Sequence, residues 1–278
     1  MARVGMSLIA SAVTVTMLAV LTTAALPQPC SADPARTAAP TAAEAAPAPR
    51  TAPALPADTA SRVVAAVRGV SPGARVGLLV WDIGSGTTLA SSGAGTRYQS
   101  ASLVKLLVGI QALREGVPRE RISRMLRESD DAVASALWGE LGSDALPGSV
   151  ARGLGISGVG GPDIPGRWGN VLLSAEDLLA VYRHLLTRAP SLISPLRDAP
   201  RRAADGFDQH FGIPSAFAGP WSVKQAWGTS ARATTAHTTG LLGEATLVLL
   251  LTSHPPGTGF RQATSAATAG ATALAGVL

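Results

Sequence analysis

The stretch SASLVKLLVG, Ser100–Gly109, sets a lysine three residues after a serine inside an apolar run. The chain holds 23 basic residues, and only two of them, Lys105 and Lys224, are lysines. The flanking Leu103, Val104, Leu106, Leu107, Val108 and Ile110 are apolar nearly all round, so the spacing predicts a buried helix over about 102–115. On a helix, residues three apart share a face, which lets Ser102 and Lys105 touch. A serine hydroxyl becomes a useful nucleophile once a neighbour accepts its proton, and a desolvated lysine is able to do so. Arginine keeps its proton in proteins, which explains a lysine here in an arginine-rich chain.

Working outward, the segment 58–278 reads as one folded unit. A helix is expected at 59–70, capped by Asp58, then a buried strand at 75–83 and a short second strand after a glycine-rich turn. Helices are expected from Pro118 and from Ser129, the latter ended by Gly142, followed by a glycine-rich loop over 153–170. Ser174 and Asp177 form a capping box for the helix that follows. Three strands, at 221–227, 233–242 and 245–253, and an Ala-rich helix at 259–277 close the chain. Strands from both chain ends must therefore share one sheet, and the mid-chain helices form a separate lobe.

Residues 1–32 read as a secretory signal or an uncleaved membrane anchor: Arg3 precedes an apolar stretch, and Cys-Ser-Ala before residue 33 suits cleavage. The segment thus offers membrane attachment, and export to the cell envelope or beyond is expected. Cys30 is the only cysteine, so there is no intrachain disulfide; lipidation at Cys30 is an alternative that the preceding Leu-Pro-Gln-Pro fits poorly. Residues 33–57, almost all Ala, Pro, Thr and Arg, read as a disordered linker. The net charge of +5 and pI of 10.3 favour anionic surroundings. Nucleic acid is not an expected partner, because there is no basic run and aromatics are only 4%. Four scattered histidines carry no metal-ligand spacing.

Two further features extend the Ser102/Lys105 pair. Ser129-Asp130-Asp131 stands at the mouth of a predicted helix, and Lys224 stands on a predicted strand in WSVKQAWG. Ser-x-x-Lys, then a Ser-Asp-Asn-like triplet, then a strand lysine is the ordered motif set that this chain shares, over about 60–278, with the class A β-lactamases and penicillin-binding proteins, which it resembles. The resemblance implies an α/β (α+β) fold with a five-stranded antiparallel sheet flanked by helices plus an all-helical lobe. It also implies a small-molecule β-lactam or a peptidoglycan-like acyl-D-amino acid peptide as substrate, and no metal or organic cofactor. By that resemblance Ser102 is the acylated nucleophile, Lys105 its proton acceptor and Ser129 the proton relay to the leaving nitrogen. Asp131, Lys224, Gln225 and Trp227 fall at substrate-binding positions, with the backbone N–H groups of Ser102 and Trp227 as the oxyanion hole.

The departures are specific. Asp131 stands for the motif asparagine, and its charge favours a protonated Lys105. Gln225 and Ala226 stand for threonine and glycine. Only 27 residues separate Ser102 from Ser129, which implies a pared-down helical lobe. The loop 153–170 holds no glutamate, and Asp163 is its only acid, so slow deacylation is expected. Two alternatives stay open on sequence: a degenerate envelope-binding module of the same fold, and a Ser/Lys esterase. The sequence leaves the oligomeric state open.

Overall fold

The computed structural model describes residues 54–278. The leader, Cys30 and the linker as far as residue 53 lie outside the described residues. In chain order the elements are α1 (Thr59–Val70), β1 (Arg75–Asp82), β2 (Thr88–Ser92), β3 (Tyr98–Gln99), α2 (Lys105–Arg114), α3 (Arg119–Arg127), α4 (Asp131–Glu140), α5 (Leu146–Gly153), β4 (Leu172–Leu173), α6 (Ala175–Arg188), α7 (Ser194–Arg197), α8 (Ile213–Ala216), β5 (Trp221–Thr229), β6 (Thr234–Leu242), β7 (Thr246–His254) and α9 (Phe260–Ala275).

Among the described residues five strands form one sheet in the order β2-β1-β7-β6-β5, with every pairing antiparallel. The two chain ends meet where β1 pairs with β7, Leu78 opposite Leu250. Strand alternation sorts β1 between two cores. Val76, Leu78 and Val80 join Val63, Val67, Ala266 and Leu274 of α1 and α9 on one face. Leu79 and Trp81 join Leu106, Leu107 and Tyr182 of the helical lobe on the other. A sheet covered on both faces reads as an uninterrupted apolar run, which is what RVGLLVWDI shows. Gly270 allows the α1–α9 contact, since a Cβ there would stand 2.6 Å from Val67 Cγ2.

Three local expectations are corrected. Asp58 has helical-side dihedrals (φ −88°, ψ 1°) and makes no side-chain cap; the helix start is held instead by the Pro56 carbonyl, which accepts from Thr59 N at 2.9 Å and Thr59 Oγ1 at 2.7 Å. Residues 101–104 form a 3-10 turn, and the regular helix begins at Lys105 rather than Ser102. Residues 146–153, to which the spacing assigns no element, form α5; Pro147 is tolerated in its first turn, and Gly148 lets it lie against the Val159 carbonyl. The Ser174/Asp177 capping box is present, with Asp177 N to Ser174 Oγ at 3.0 Å and Ser174 N to Asp177 Oδ2 at 2.9 Å.

The sheet carries a buried polar chain. His237 on β6 accepts from Thr252 N through Nδ1 at 3.1 Å, so its proton sits on Nε2, which donates to the Gln99 carbonyl at 2.8 Å. Thr252 Oγ1 donates to the Ala236 carbonyl at 2.5 Å and is therefore an acceptor for His254 Nε2 at 2.9 Å. The His237 ring is thus wired as a neutral imidazole. Burial pushes both pKa values down to about 4; for His237 the proximity of His254 adds to this while the bond to Gln99 opposes it.

A pH dependence follows. An unfolded histidine takes up a proton below about pH 6.5, while the folded one resists until about pH 4. Stability is therefore full above pH 6.5 and falls as the pH drops from 6.5 to 4, by roughly 3 kcal/mol from His237 at the acid end. Urea unfolding at a series of pH values checks this. A flat stability between pH 7 and 4.5 contradicts it, and His237→Gln is expected to shallow the slope.

Candidate active site

The turn that carries Ser102 is fixed from three sides. Ser100 N donates to the Val171 carbonyl at 2.8 Å, His237 holds the Gln99 carbonyl, and Leu103 N closes onto the Ser100 carbonyl at 2.9 Å. Ala101, just before the serine, adopts φ +43°. Ser129 adopts φ +53°, also left-handed. Such backbone costs about 1–3 kcal/mol for a non-glycine residue and persists only where surroundings enforce it. At Ser129 they do. Asp130 caps α4, its Oδ1 accepting from Ala132 N at 2.9 Å and Val133 N at 3.0 Å, and Arg124 pairs with it at 2.7 Å. Burial alone would raise the Asp130 carboxyl, but these two N–H groups and Arg124 hold it below its ordinary range.

Lys105 is fully buried, and its Nζ lies 2.9 Å from Ser102 Oγ, 2.8 Å from the Ser129 carbonyl, 3.2 Å from Ser129 Oγ and 2.5 Å from Asp131 Oδ1. The Ser129 carbonyl and the Asp131 carboxylate only accept, so they claim two N–H bonds. A neutral amine has two, and in that form its lone pair is left for the hydroxyls of Ser102 and Ser129. Burial lowers the Lys105 pKa, and this outweighs the charge and hydrogen bond of Asp131, which raise it. The helix N-terminus on which Lys105 stands works in the same direction as burial, because its positive end disfavours a cation. The side chain of Asp131 is 63% exposed, so water screens its charge. The expected opposition of Asp131 is present and is the weaker influence.

Lys224 reaches the same hydroxyl from β5, its Nζ 2.9 Å from Ser129 Oγ and 3.0 Å from the Gln225 carbonyl. A hydrogen-bond string positions its backbone: the Tyr182 hydroxyl of α6 lies 2.9 Å from Thr239 Oγ1, which donates to the Lys224 carbonyl at 2.8 Å. Burial pushes the Lys224 pKa well below its ordinary value, and the nearby Lys105 pushes it further, against the pull of Asp131. Two buried amines that share one hydroxyl titrate as a pair, so a proton on either favours a neutral partner.

Ser102 and Asp131 open into a cleft of about 380 Å³ that Trp168, Asn170, Trp227 and Thr235 also line, while Lys105, Ser129 and Lys224 are buried and do not line it. A larger cavity of about 540 Å³, between α3 and α7, contains none of the predicted site residues. Six of the seven residues expected at the site come together: Ser102, Lys105, Ser129, Asp131 and Lys224 through their hydrogen bonds, and Trp227 by lining the cleft with Ser102. Gln225 does not join them. Strand alternation turns it to the opposite face of β5 from Lys224, where its Nε2 donates to the Phe211 carbonyl, and it is 1% exposed. Trp227 has the same parity. Its ring stacks on Phe207 at 4.5 Å, and the residue borders the cleft beside Ser102.

Trp168 has a larger part than its sequence context suggests. It lies in a 3-10 turn of the glycine-rich loop, with the Lys105 ammonium position 4.9 Å above its ring and its Nε1 3.2 Å from Ser135 Oγ. Its ring roofs the lysine and adds to its desolvation. Nothing in the local spacing marks it, since a tryptophan among glycines has no periodicity. Asp163 is not among the residues that line the cleft. Among the described residues that do, Asp131 is the sole carboxylate, and it is bound to Lys105.

Comparison with solved structures gives a β-lactamase from Burkholderia vietnamiensis, at a TM-score of 0.63 and 20% identity, covering 80% of this chain and 96% of that one. The class A β-lactamase from Mycobacterium abscessus follows at 0.60 and 19%, covering 78% and 98%. The fold is that of the class A β-lactamases. No protein-family model matches the chain. Curated relatives named "Putative lipoprotein LppW", from Mycobacterium tuberculosis and Mycobacterium bovis, are 32% identical over 204 residues. That match takes in 66% of this chain and spans 64% of the relatives' length. In this β-lactamase fold the cleft lies where edge strand β5 faces the helical lobe, and the predicted five-stranded sheet and lobe are both found.

Proposed function

We propose that the protein is an exported, envelope-associated serine acyl-transfer protein that reacts with β-lactams or peptidoglycan-like acyl-D-amino acid amides and releases the acyl group slowly. The observation that carries this reading is the connected set Ser102–Lys105–Ser129–Lys224, with Lys105 wired to receive a proton. In the reaction, Ser102 Oγ bonds to the substrate carbonyl carbon as its proton passes to Lys105 Nζ. The C–N bond then breaks while Ser129 Oγ–H protonates the departing nitrogen, and Lys105 returns a proton to Ser129. Lys224 donates to Ser129 and supplies a donor for the substrate carboxylate. Envelope association draws support from the lipoprotein name of the mycobacterial relatives and from the apolar leader.

Slow release follows from what the cleft lacks. Hydrolysis of an acyl-serine needs a base beside the attacking water, and the one lining carboxylate is engaged by Lys105. Intact-mass spectrometry after exposure to benzylpenicillin, followed over hours and mapped to peptides, tests both halves. The expected result is one penicilloyl group on the peptide that contains Ser102, persisting long after excess drug is removed. An unmodified protein, or an adduct on another peptide, overturns acylation at Ser102; loss of the adduct within seconds overturns slow release.

A further inference from the structure

A second cavity of about 340 Å³ adjoins the nucleophile cleft, and Gln99 and Thr235 line both. Its other walls bring together Arg75 at the start of β1, Arg97 before β3, and Arg232 in the β5–β6 turn, with Asp163 as the acid among them. Of the three guanidiniums, one is committed. Arg97 donates to Asp177 at 3.3 Å and to the carbonyls of Gly158 and Ser157 at 2.5 and 2.8 Å, tying the glycine-rich loop to α6. Arg75 and Arg232 are different. Both are exposed, and among the described residues no carboxylate pairs with either within 4.0 Å, Asp163 included. Arg75 is held in place by its position over the Tyr98 ring, 5.3 Å from the centroid.

The placement gives these cations a purpose that a surface charge lacks. Tyr98 and Gln99 run directly into the turn that carries Ser102, and Thr235 pairs with Gly228 on the strand that borders the nucleophile. A group attached to the acyl side of a ligand held at Ser102 can therefore pass Gln99 and Thr235 and reach a site of net positive charge. Planar guanidiniums match a carboxylate, which two of them can bind with charge-assisted hydrogen bonds.

We propose that this cavity is an anion subsite of the nucleophile cleft, in which Arg75 and Arg232 receive a carboxylate borne on the acyl side of the ligand. The inference rests on the acyl-transfer reading for its ligand, so its test avoids the covalent step. Ser102→Ala protein is titrated with benzylpenicillin and with carbenicillin, which differs by one α-carboxylate on the same side chain, and noncovalent binding is measured by calorimetry at low and at 0.5 M salt. The expected result is roughly tenfold tighter binding of the dicarboxylate at low salt, a preference that high salt erodes. Adding Arg75→Ala and Arg232→Ala to the same protein is expected to bring the two ligands to parity. Equal or weaker binding of carbenicillin with both arginines present overturns the subsite, as does a preference that survives their removal. Neither outcome depends on whether wild-type Ser102 is acylated, so failure of the subsite and failure of the acyl-transfer reading are told apart.

Discussion

Lys105→Arg is expected to slow penicilloylation of Ser102 by about 10²–10⁴-fold, the range over which a positioned general base contributes. The substitution keeps the positive charge and the pairing with Asp131, so a lysine that served only as a buried counter-ion would be replaced with little effect on rate. A lysine that must be neutral cannot be replaced by arginine, which does not release its proton. Full burial of Lys105 beneath Trp168 also leaves little room for a guanidinium, so Lys105→Gln serves as a smaller companion. The measurement is the second-order rate of labelling by a fluorescent penicillin, with near-ultraviolet circular dichroism reporting the fold. The wild-type rate should rise with pH through a limb below the ordinary lysine value of 10.5, because burial lowers the Lys105 pKa. Both variants should lack that limb. A well-folded variant that labels within tenfold of wild type, with the limb intact, removes Lys105 from the proton path.

Lys224→Met is expected to reduce the same rate by about 10²–10³-fold, comparable to the loss of one preorganised donor at a reacting centre. Methionine fills much of the fully buried lysine volume, which limits collapse of the site. What disappears is the donor 2.9 Å from Ser129 Oγ. A purely structural role for Lys224 would lower stability and leave the labelling rate of the folded protein in place. A well-folded variant that labels at the wild-type rate would falsify the assignment of Lys224 to this site.

Much of the architecture was legible along the chain because it depends on local periodicity. Strands β5, β6 and β7 are long, β-rich and punctuated by Gly219-Pro220 and by Gly243, so their existence needed no tertiary information. The capping box at Ser174 is a four-residue pattern with its own geometry. Helix α5 was hidden because Pro147 and Gly148 read as breakers, whereas one sits in a permissive first turn and the other is required by a close backbone approach. Gln225 was misplaced for a simple reason. Adjacent motif residues on a strand point to opposite faces, and motif matching ignores that parity.

The chemistry of the cleft divides along the same line. Ser129 and Lys224 stand out through a motif order that resembles the class A β-lactamases, and the element order implies one sheet with a separate helical lobe. Ser102 and Lys105 need no family, since a hydroxyl with a deprotonable amine three residues away is a local statement. The protonation of that amine was not. It depends on burial under Trp168, on the left-handed backbone at Ser129 and on the solvent exposure of Asp131, which arise from segments distant in sequence. The same holds for the arginines beside the cleft: among 21 arginines scattered along the chain, only folding shows which two line one cavity without forming an ion pair among the described residues. Electrostatic free energy depends on distance and dielectric surroundings, and neither is defined until the chain has packed.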